Sequence, residues 1–150
     1  MSIRIRPLLI TDIAQIHEIE KLSFSEPWSK RMFFSELEAQ GYNHSLVAVD
    51  NASDHVVGYC CFWILEGDEI HINNIATHPD YRRKGIAQTL MREATAMGLQ
   101  QCAQSVTLEV RESNTAARSF YERLGFCQVG KRIGYYCKPK EDALILRKPI

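Results

Sequence analysis

Absences in the sequence narrow its function before any motif is read. No apolar run approaches the ~18 residues that a membrane-spanning helix needs. Neither sign of charge prevails, since 18 Lys and Arg stand against 18 Asp and Glu. That balance argues against holding nucleic acid or a membrane surface by bulk electrostatics, so neither partner is expected. The amino terminus, M-S-I-R-I-R-P-L-L-I, has neither the long apolar segment nor the small-residue cleavage site of a secretory signal. Cysteine is present without a pattern. Cys60, Cys61, Cys102, Cys127 and Cys137 are odd in number and form no Cys-x-x-Cys, which indicates neither a disulfide framework nor a zinc site. Reduced, mostly buried thiols in a cytoplasmic protein are the expectation. His71 and His78 lack a matched third ligand, so no metal is expected there.

What is present is an unbroken series of short elements, without linker, repeat or low-complexity stretch. At 150 residues, with 45% hydrophobic and 24% charged, the chain suits one domain spanning 1–150. Ile3 and Ile5 alternate with Arg4 and Arg6 as an opening strand. Thr11-Asp12 caps a helix with the stripe Ile13, Ile16, Ile19 and Leu22. Ser29 caps a second, through Met32, Phe33, Leu37 and Ala39, stopped at Gly41. Leu46 to Val49 and Val56 to Leu65 form a hairpin, the latter apolar on both faces as a central strand is. Ile70, Ile72 and Asn74 then alternate with His71, Asn73 and Ile75, and helical spacing follows from Gly85 to about Gln101. Val106, Leu108 and Val110 share one face of the next strand; Thr107, Glu109 and Arg111 share the other. Ser113-Asn114 caps a helix closed by Gly125, and Phe126 to Ile133 and Ala143 to Leu146 read as final strands.

The strand through Ile75 feeds a basic loop, Arg82-Arg83-Lys84-Gly85, that opens a helix. A helix start offers unpaired N–H groups and partial positive charge, and Gly85 lets an anion come near. A phosphate or pyrophosphate is the natural guest. The loop is neither the Walker pattern nor the Gly-x-Gly-x-x-Gly fingerprint. Arg82-x-x-Gly85-x-Ala87, preceded by Asn74-Ile75-Ala76 and His78-Pro79, resembles the coenzyme-A pyrophosphate loop of the GNAT superfamily of N-acetyltransferases. Leu108-Glu109-Val110-Arg111-x-Ser113-Asn114, Tyr121-Glu122, Leu124-Gly125-Phe126, Pro27-Trp28-Ser29, Tyr135-Tyr136 and Glu141-Asp142-Ala143 extend the likeness. Together they resemble the ribosomal-protein-alanine N-acetyltransferase family over essentially the whole chain.

That resemblance implies an α+β GNAT fold, a mixed, largely antiparallel central sheet with helices on both faces. It implies acetyl-CoA as acetyl donor, held by Ile75, Ala76, Thr77, Arg83, Lys84, Gly85, Ile86, Ala87, Gln88 and Asn114. The acceptor it implies is a protein N-terminus, the terminal alanine of small-subunit ribosomal protein eighteen. Acetyl transfer needs an amine stripped of its proton and a thiolate given one. Glu109 and Tyr121 match the family's proton acceptor and general-acid tyrosine, and direct attack of the amine on the thioester is expected. No cysteine sits beside a motif histidine to favour an acyl-cysteine route. Glu69 is a possible helper facing the amine. Trp28 and Tyr135-Tyr136 flank the peptide entrance in the family, or form a structural aromatic cluster here. Two other readings stand beside this one: an acetyltransferase for a polyamine or aminoglycoside, and a non-catalytic coenzyme-A-binding module.

Overall fold

The structure, a computed structural model, describes residues 1–39 and 41–150. Among the described residues seven strands make one sheet: β1 Ile3–Pro7, β2 Asn43–Asp50, β3 Val56–Ile64, β4 Glu69–Thr77, β5 Ser105–Arg111, β6 Cys127–Cys137 and β7 Lys140–Pro149. The helices are α1 Ile13–Ser23, α2 Lys30–Glu38, α3 Ile86–Leu99 and α4 Thr115–Arg123. Across the sheet the order is β1-β2-β3-β4-β5-β7-β6, and β4 with β5 is its parallel pair. The sheet is thus mixed and largely antiparallel, in the element order the sequence implied. Ile86, Leu90, Met91 and Ala94 of α3 pack with Ile70, Ile72 and Leu108 over one face. Ile13, Ile16 and Ile19 of α1 and Phe33 of α2 pack with Val47, Val49 and Tyr59 over the other. Each such side chain contributes about 1.5–3 kcal/mol when fully withdrawn from water.

Periodicity placed the elements better than it placed every side chain. Leu22, assigned to the α1 stripe, is 57% exposed, whereas Glu20 is buried to 1%. The buried carboxylate is satisfied: it accepts from Tyr59 Oη, from Asn74 Nδ2 at 2.7 Å and from the Trp28 N–H at 2.8 Å. Met32 is likewise exposed and Phe33 alone carries the fully buried face of α2, which ends at Glu38, short of Ala39. Asp12 does not cap α1 through its side chain. Its carboxylate instead takes Arg6 at 2.7 and 2.9 Å and the Leu9 N–H at 2.8 Å, closing the preceding turn. Ser29 and Asn114 do cap, accepting from Met32 and Ala117 N–H groups at 3.2 Å each. Of the cysteines, Cys60 and Cys61 are buried; Cys102, Cys127 and Cys137 are exposed, the last two on edge strand β6. The final two strands also run further than their apolar cores suggested, meeting at Cys137 and Lys140.

Two irregularities in β4 open the sheet and re-aim its side chains. Cys61 pairs with Asn74 but Phe62 pairs with Ile72, so Asn73 is left as a bulge. A bulge reverses the phase of alternation beyond it. Ile75 therefore packs on the same core as Ile70 and Ile72, while Asn74 turns to Glu20 and Ala76 joins the opposite core. The expected grouping of Asn74 with Ile70 and Ile72 fails for this reason. Second, the pairing of β4 with β5 runs from Glu69↔Ser105 to Ile72↔Leu108 and stops, although both strands continue. Past that point their facing edges hold unpaired backbone groups, and the two strands part.

Candidate active site

The opening between β4 and β5 leads into a cleft of about 1420 Å3. Its lining comes from three places: the loop and first turn of α3, the unpaired ends of β4 and β5 with α4, and the α1–α2 loop facing β6. A second hollow, lined by Ile13, Lys30 and Phe34 among others, brings together no chemistry-bearing set.

At the α3 end the backbone is built for an anion. Arg83 and Gly85 both take left-handed conformations, with φ of 62° and 77°. Gly85 adopts this without the Cβ penalty that other residues meet. The turn delivers the chain into α3 with the N–H groups of its first turn unclaimed by the helix. Arg83, Gly85, Ile86, Ala87 and Gln88 line the cleft. Lys84 does not; its ammonium lies 5.5 Å from the Tyr81 ring centroid. Arg82 lines the cleft and donates through Nε to the Thr77 carbonyl at 3.3 Å. Ile75, Ala76 and Thr77 bring the free edge of β4, a template for an added extended chain. Thr77 Oγ1 and Asn73 Nδ2 are buried there without hydrogen-bond partners among the described residues. Buried polar atoms are rarely left so. A long ligand with an anionic end and amide groups along its arm fits this lining. Asn114 stands across the cleft, its carbonyl oxygen used by the α4 cap.

Glu109 lines the cleft from the polar face of β5. Its Oε2 accepts from His71 Nε2 at 2.8 Å and its Oε1 from Arg132 Nε at 3.1 Å. Burial pushes this carboxyl upward, but the hydrogen bonds and charge of His71, then of Arg132, outweigh it and hold it below the ordinary 4.5. His71 moves the other way: its bond to Glu109 raises it above 6.5 against the opposing effect of burial. The sequence reading missed this contact, because it weighs His71 as a metal ligand or base by itself and not as a partner of Glu109. Glu69, the possible helper, is occupied elsewhere: it accepts from Thr107 Oγ1 at 2.7 Å and does not line the cleft. His78 accepts from the Asp80 N–H at 3.1 Å as a turn cap. Tyr121 lines the cleft from α4, buried, with Phe120 and Phe126 ring centroids 5.2 and 5.5 Å away. Burial raises its phenol well above the usual value, so it remains protonated at neutral pH.

The remaining wall is tied shut. Glu26, in the α1–α2 loop, accepts at Oε1 from the Cys137 and Lys138 N–H groups at 2.9 and 2.8 Å. Arg111 donates to the same oxygen at 2.9 Å, to Glu141 at 3.1 Å and to the Pro139 carbonyl at 2.9 Å. Its guanidinium also lies 4.2 Å from the Tyr136 ring centroid. Ser25 Oγ adds a bond to the Lys138 carbonyl at 2.9 Å. The α1–α2 loop and the β6–β7 turn, far apart in sequence, thereby form one bridge beside the cleft.

The family described as Acetyltransferase (GNAT) matches residues 13–126. A Bacillus subtilis protein provisionally named ribosomal protein bS18-alanine N-acetyltransferase is 39% identical over 142 residues, 95% of this chain and 92% of that protein. An N-alpha-acetyltransferase of Saccharolobus solfataricus is 34% identical over 97% of this chain and 92% of its own length. The crystal structure of the ribosomal-protein-S18-alanine N-acetyltransferase from Escherichia coli superposes with a TM-score of 0.87 at 29% identity, over 99% of this chain and 94% of that one.

Proposed function

Because the chain belongs to the Acetyltransferase (GNAT) family, and so is an acyltransferase drawing on acetyl-CoA, we propose that its acceptor is a protein α-amino group, specifically the amino-terminal alanine of ribosomal protein bS18. The observation that carries the reading is the shared cleft: Glu109, Tyr121 and the loop before α3 all line it. The relatives of similar length named for bS18 supply the acceptor.

When bound, acetyl-CoA supplies an activated acetyl thioester. The chain's own residues do the rest. The turn at Arg83 and Gly85 with the first turn of α3 holds the phosphates, and the free edge of β4 through Ile75, Ala76 and Thr77 orients the arm. Asn114 keeps its amide NH2 for the ligand while its oxygen caps α4. Glu109 accepts the proton of the incoming ammonium, directly or through a water. Tyr121, kept protonated by burial, returns a proton to the departing sulfur.

The α-amine suits this machinery. Its reference pKa near 7.7–8.0 compares with about 10.4 for lysine, so stripping a lysine costs roughly 3 kcal/mol more at neutral pH. The bridge through Glu26 and Arg111 favours a narrow chain end over a side chain presented from the middle of a peptide. It also bears on the polyamine reading. Each carboxylate in the lining is already engaged: Glu20 by Tyr59 and Asn74, Glu26 by Arg111, Glu109 by His71 and Arg132. Glu20 is moreover buried to 1%, so among the described lining residues a polycation would meet no exposed, unpaired carboxylate.

Mass-spectrometric acetylation of a substrate panel tests the proposal. Peptides beginning with Ala, Ser and Met, an N-blocked lysine peptide and a polyamine are offered with acetyl-CoA. Transfer is expected to the Ala-starting peptide of the bS18 terminus first. Transfer to the polyamine alone would overturn the reading.

A further inference from the structure

We propose that His71 is a positioning residue for the base: its imidazole fixes Glu109 on the cleft wall through Nε2, and its gain or loss of a proton sets how strongly that carboxylate can accept one. The inference rests on Glu109 acting as proton acceptor and goes beyond it.

The geometry is specific. His71 lies on β4 before the bulge and does not line the cleft; it stands behind Glu109, which does. The closed part of the β4–β5 pairing sets His71 opposite Thr107, two residues short of Glu109 on the same polar face. Their side chains meet at 2.8 Å. The second ring nitrogen, Nδ1, is 2.9 Å from Asn73 Oδ1. A carboxylate and an amide oxygen only accept hydrogen bonds. With the Asn73 oxygen turned to the ring, both ring nitrogens face acceptors, an arrangement that suits the imidazolium. Asn73 Nδ2 meanwhile has no partner among the described residues. If the Asn73 amide turns over, its NH2 donates to a bare Nδ1 and suits the neutral ring. The bulge residue can thus serve either state of the histidine.

The charge around the pair has few sources. Glu69 faces His71 from its own strand and Glu109 from β5. Arg132, Tyr135 and Tyr136 face Glu109 from β6. Trp63 on β3, its ring 5.7 Å from His71, is uncharged, and Ile145 opposite Glu109 on β7 is apolar. Arg132 is 54% exposed, so solvent and salt screen its hold. The His71 and Glu109 side chains are only 21% and 10% exposed. His71 is therefore the partner whose charge Glu109 feels most. With the imidazolium in place Glu109 is a weak base; with the neutral ring it keeps the Nε2–H bond and becomes a stronger one.

The test compares wild type, His71→Gln and Glu109→Gln as full chains. Gln at 71 keeps an amide donor but cannot titrate. kcat is expected to fall on the order of 10-fold to 100-fold in His71→Gln, as a loosened reacting group does, with KM for acetyl-CoA unchanged. The acid limb of kcat/KM should lose one ionisation in that variant, while the ionisation of the peptide amine persists in both. By NMR, the His71 ring should titrate above an ordinary histidine in wild type and move down in Glu109→Gln. Normalised pH profiles that superimpose, or a ring titration indifferent to Glu109→Gln, would overturn the role of His71 even where Glu109→Gln is inactive. Undiminished turnover in Glu109→Gln is a different failure, that of the base itself. Should His71→Gln fold poorly, His71→Asn and the wild-type ring titration still decide.

Discussion

At the scale of single residues, the two groups proposed for opposite duties share the cleft, and their environments push them apart. Glu109 stays ionised at neutral pH because His71 and Arg132 more than offset its burial; Tyr121 stays protonated because nothing offsets its own. Glu109→Gln and Tyr121→Phe are each expected to lower turnover by about 10²–10⁴-fold, the usual reach of general acid–base catalysis. Binding of coenzyme A, followed by calorimetry, should change little in either. The pair of Glu109 with His71 also makes stability depend on pH, and the sign follows from the two shifts. The depressed Glu109 contributes above 4.5 and its contribution fades as pH falls through the lowered value. The raised His71 contributes in full below 6.5 and is lost as pH rises through the raised value. The destabilisation by His71→Gln, measured by urea denaturation, is therefore expected to be largest between about 4.5 and 6.5 and to shrink at higher pH.

At the scale of elements, small departures from regularity make the site. Gly85 enters α3 from a left-handed conformation, φ 77°, with open space where a Cβ would go. Gly85→Ala should thus cost about 1 kcal/mol of backbone strain and no clash, and weaken coenzyme-A affinity by distorting the turn, as titration calorimetry would read. The bulge at Asn73 and the carboxylate of Glu20 work together: Glu20 joins α1 to β4 through Asn74, to β3 through Tyr59 and to the α1–α2 loop through Trp28. Truncation leaves these donors buried and unpaired, at about 1–3 kcal/mol apiece. Glu20→Ala is expected to lower the denaturation midpoint strongly, while Leu22→Ala, at an exposed site, should leave it nearly unchanged. Equal effects from the two would show that the α1 stripe runs through Leu22 after all.

At the scale of the whole molecule, elements distant in sequence meet around one cleft. The wall proposed for the acceptor depends on the Glu26–Arg111 bridge between the α1–α2 loop and the β6–β7 turn. Glu26→Ala removes the shared acceptor. Transfer to an N-blocked lysine peptide, relative to the Ala-starting peptide, is expected to rise as the bridge loosens; an unchanged ratio would free the bridge from any part in specificity.

Element order, the caps at Ser29 and Asn114, the loop before α3 and the placing of Glu109 and Tyr121 on a strand and a helix were all legible in the amino-acid order. Those features are local: a period, a cap or a turn is written within a few residues of where it acts. Which polar groups meet was left to the folded chain. His71 and Glu109 are 38 residues apart, and their contact depends on the register of a parallel pair. A histidine alternating with Ile70 and Ile72 on one strand, and a glutamate on the polar face of the next, were the signal available. Glu20 gave no such signal: a stripe counted by apolar residues ran on to Leu22, whereas burial of a carboxylate requires donors that only β3, β4 and the α1–α2 loop bring to it. The bulge at Asn73 likewise lies in how β4 pairs with β3, since one unpaired residue reverses the faces of a strand without changing its composition.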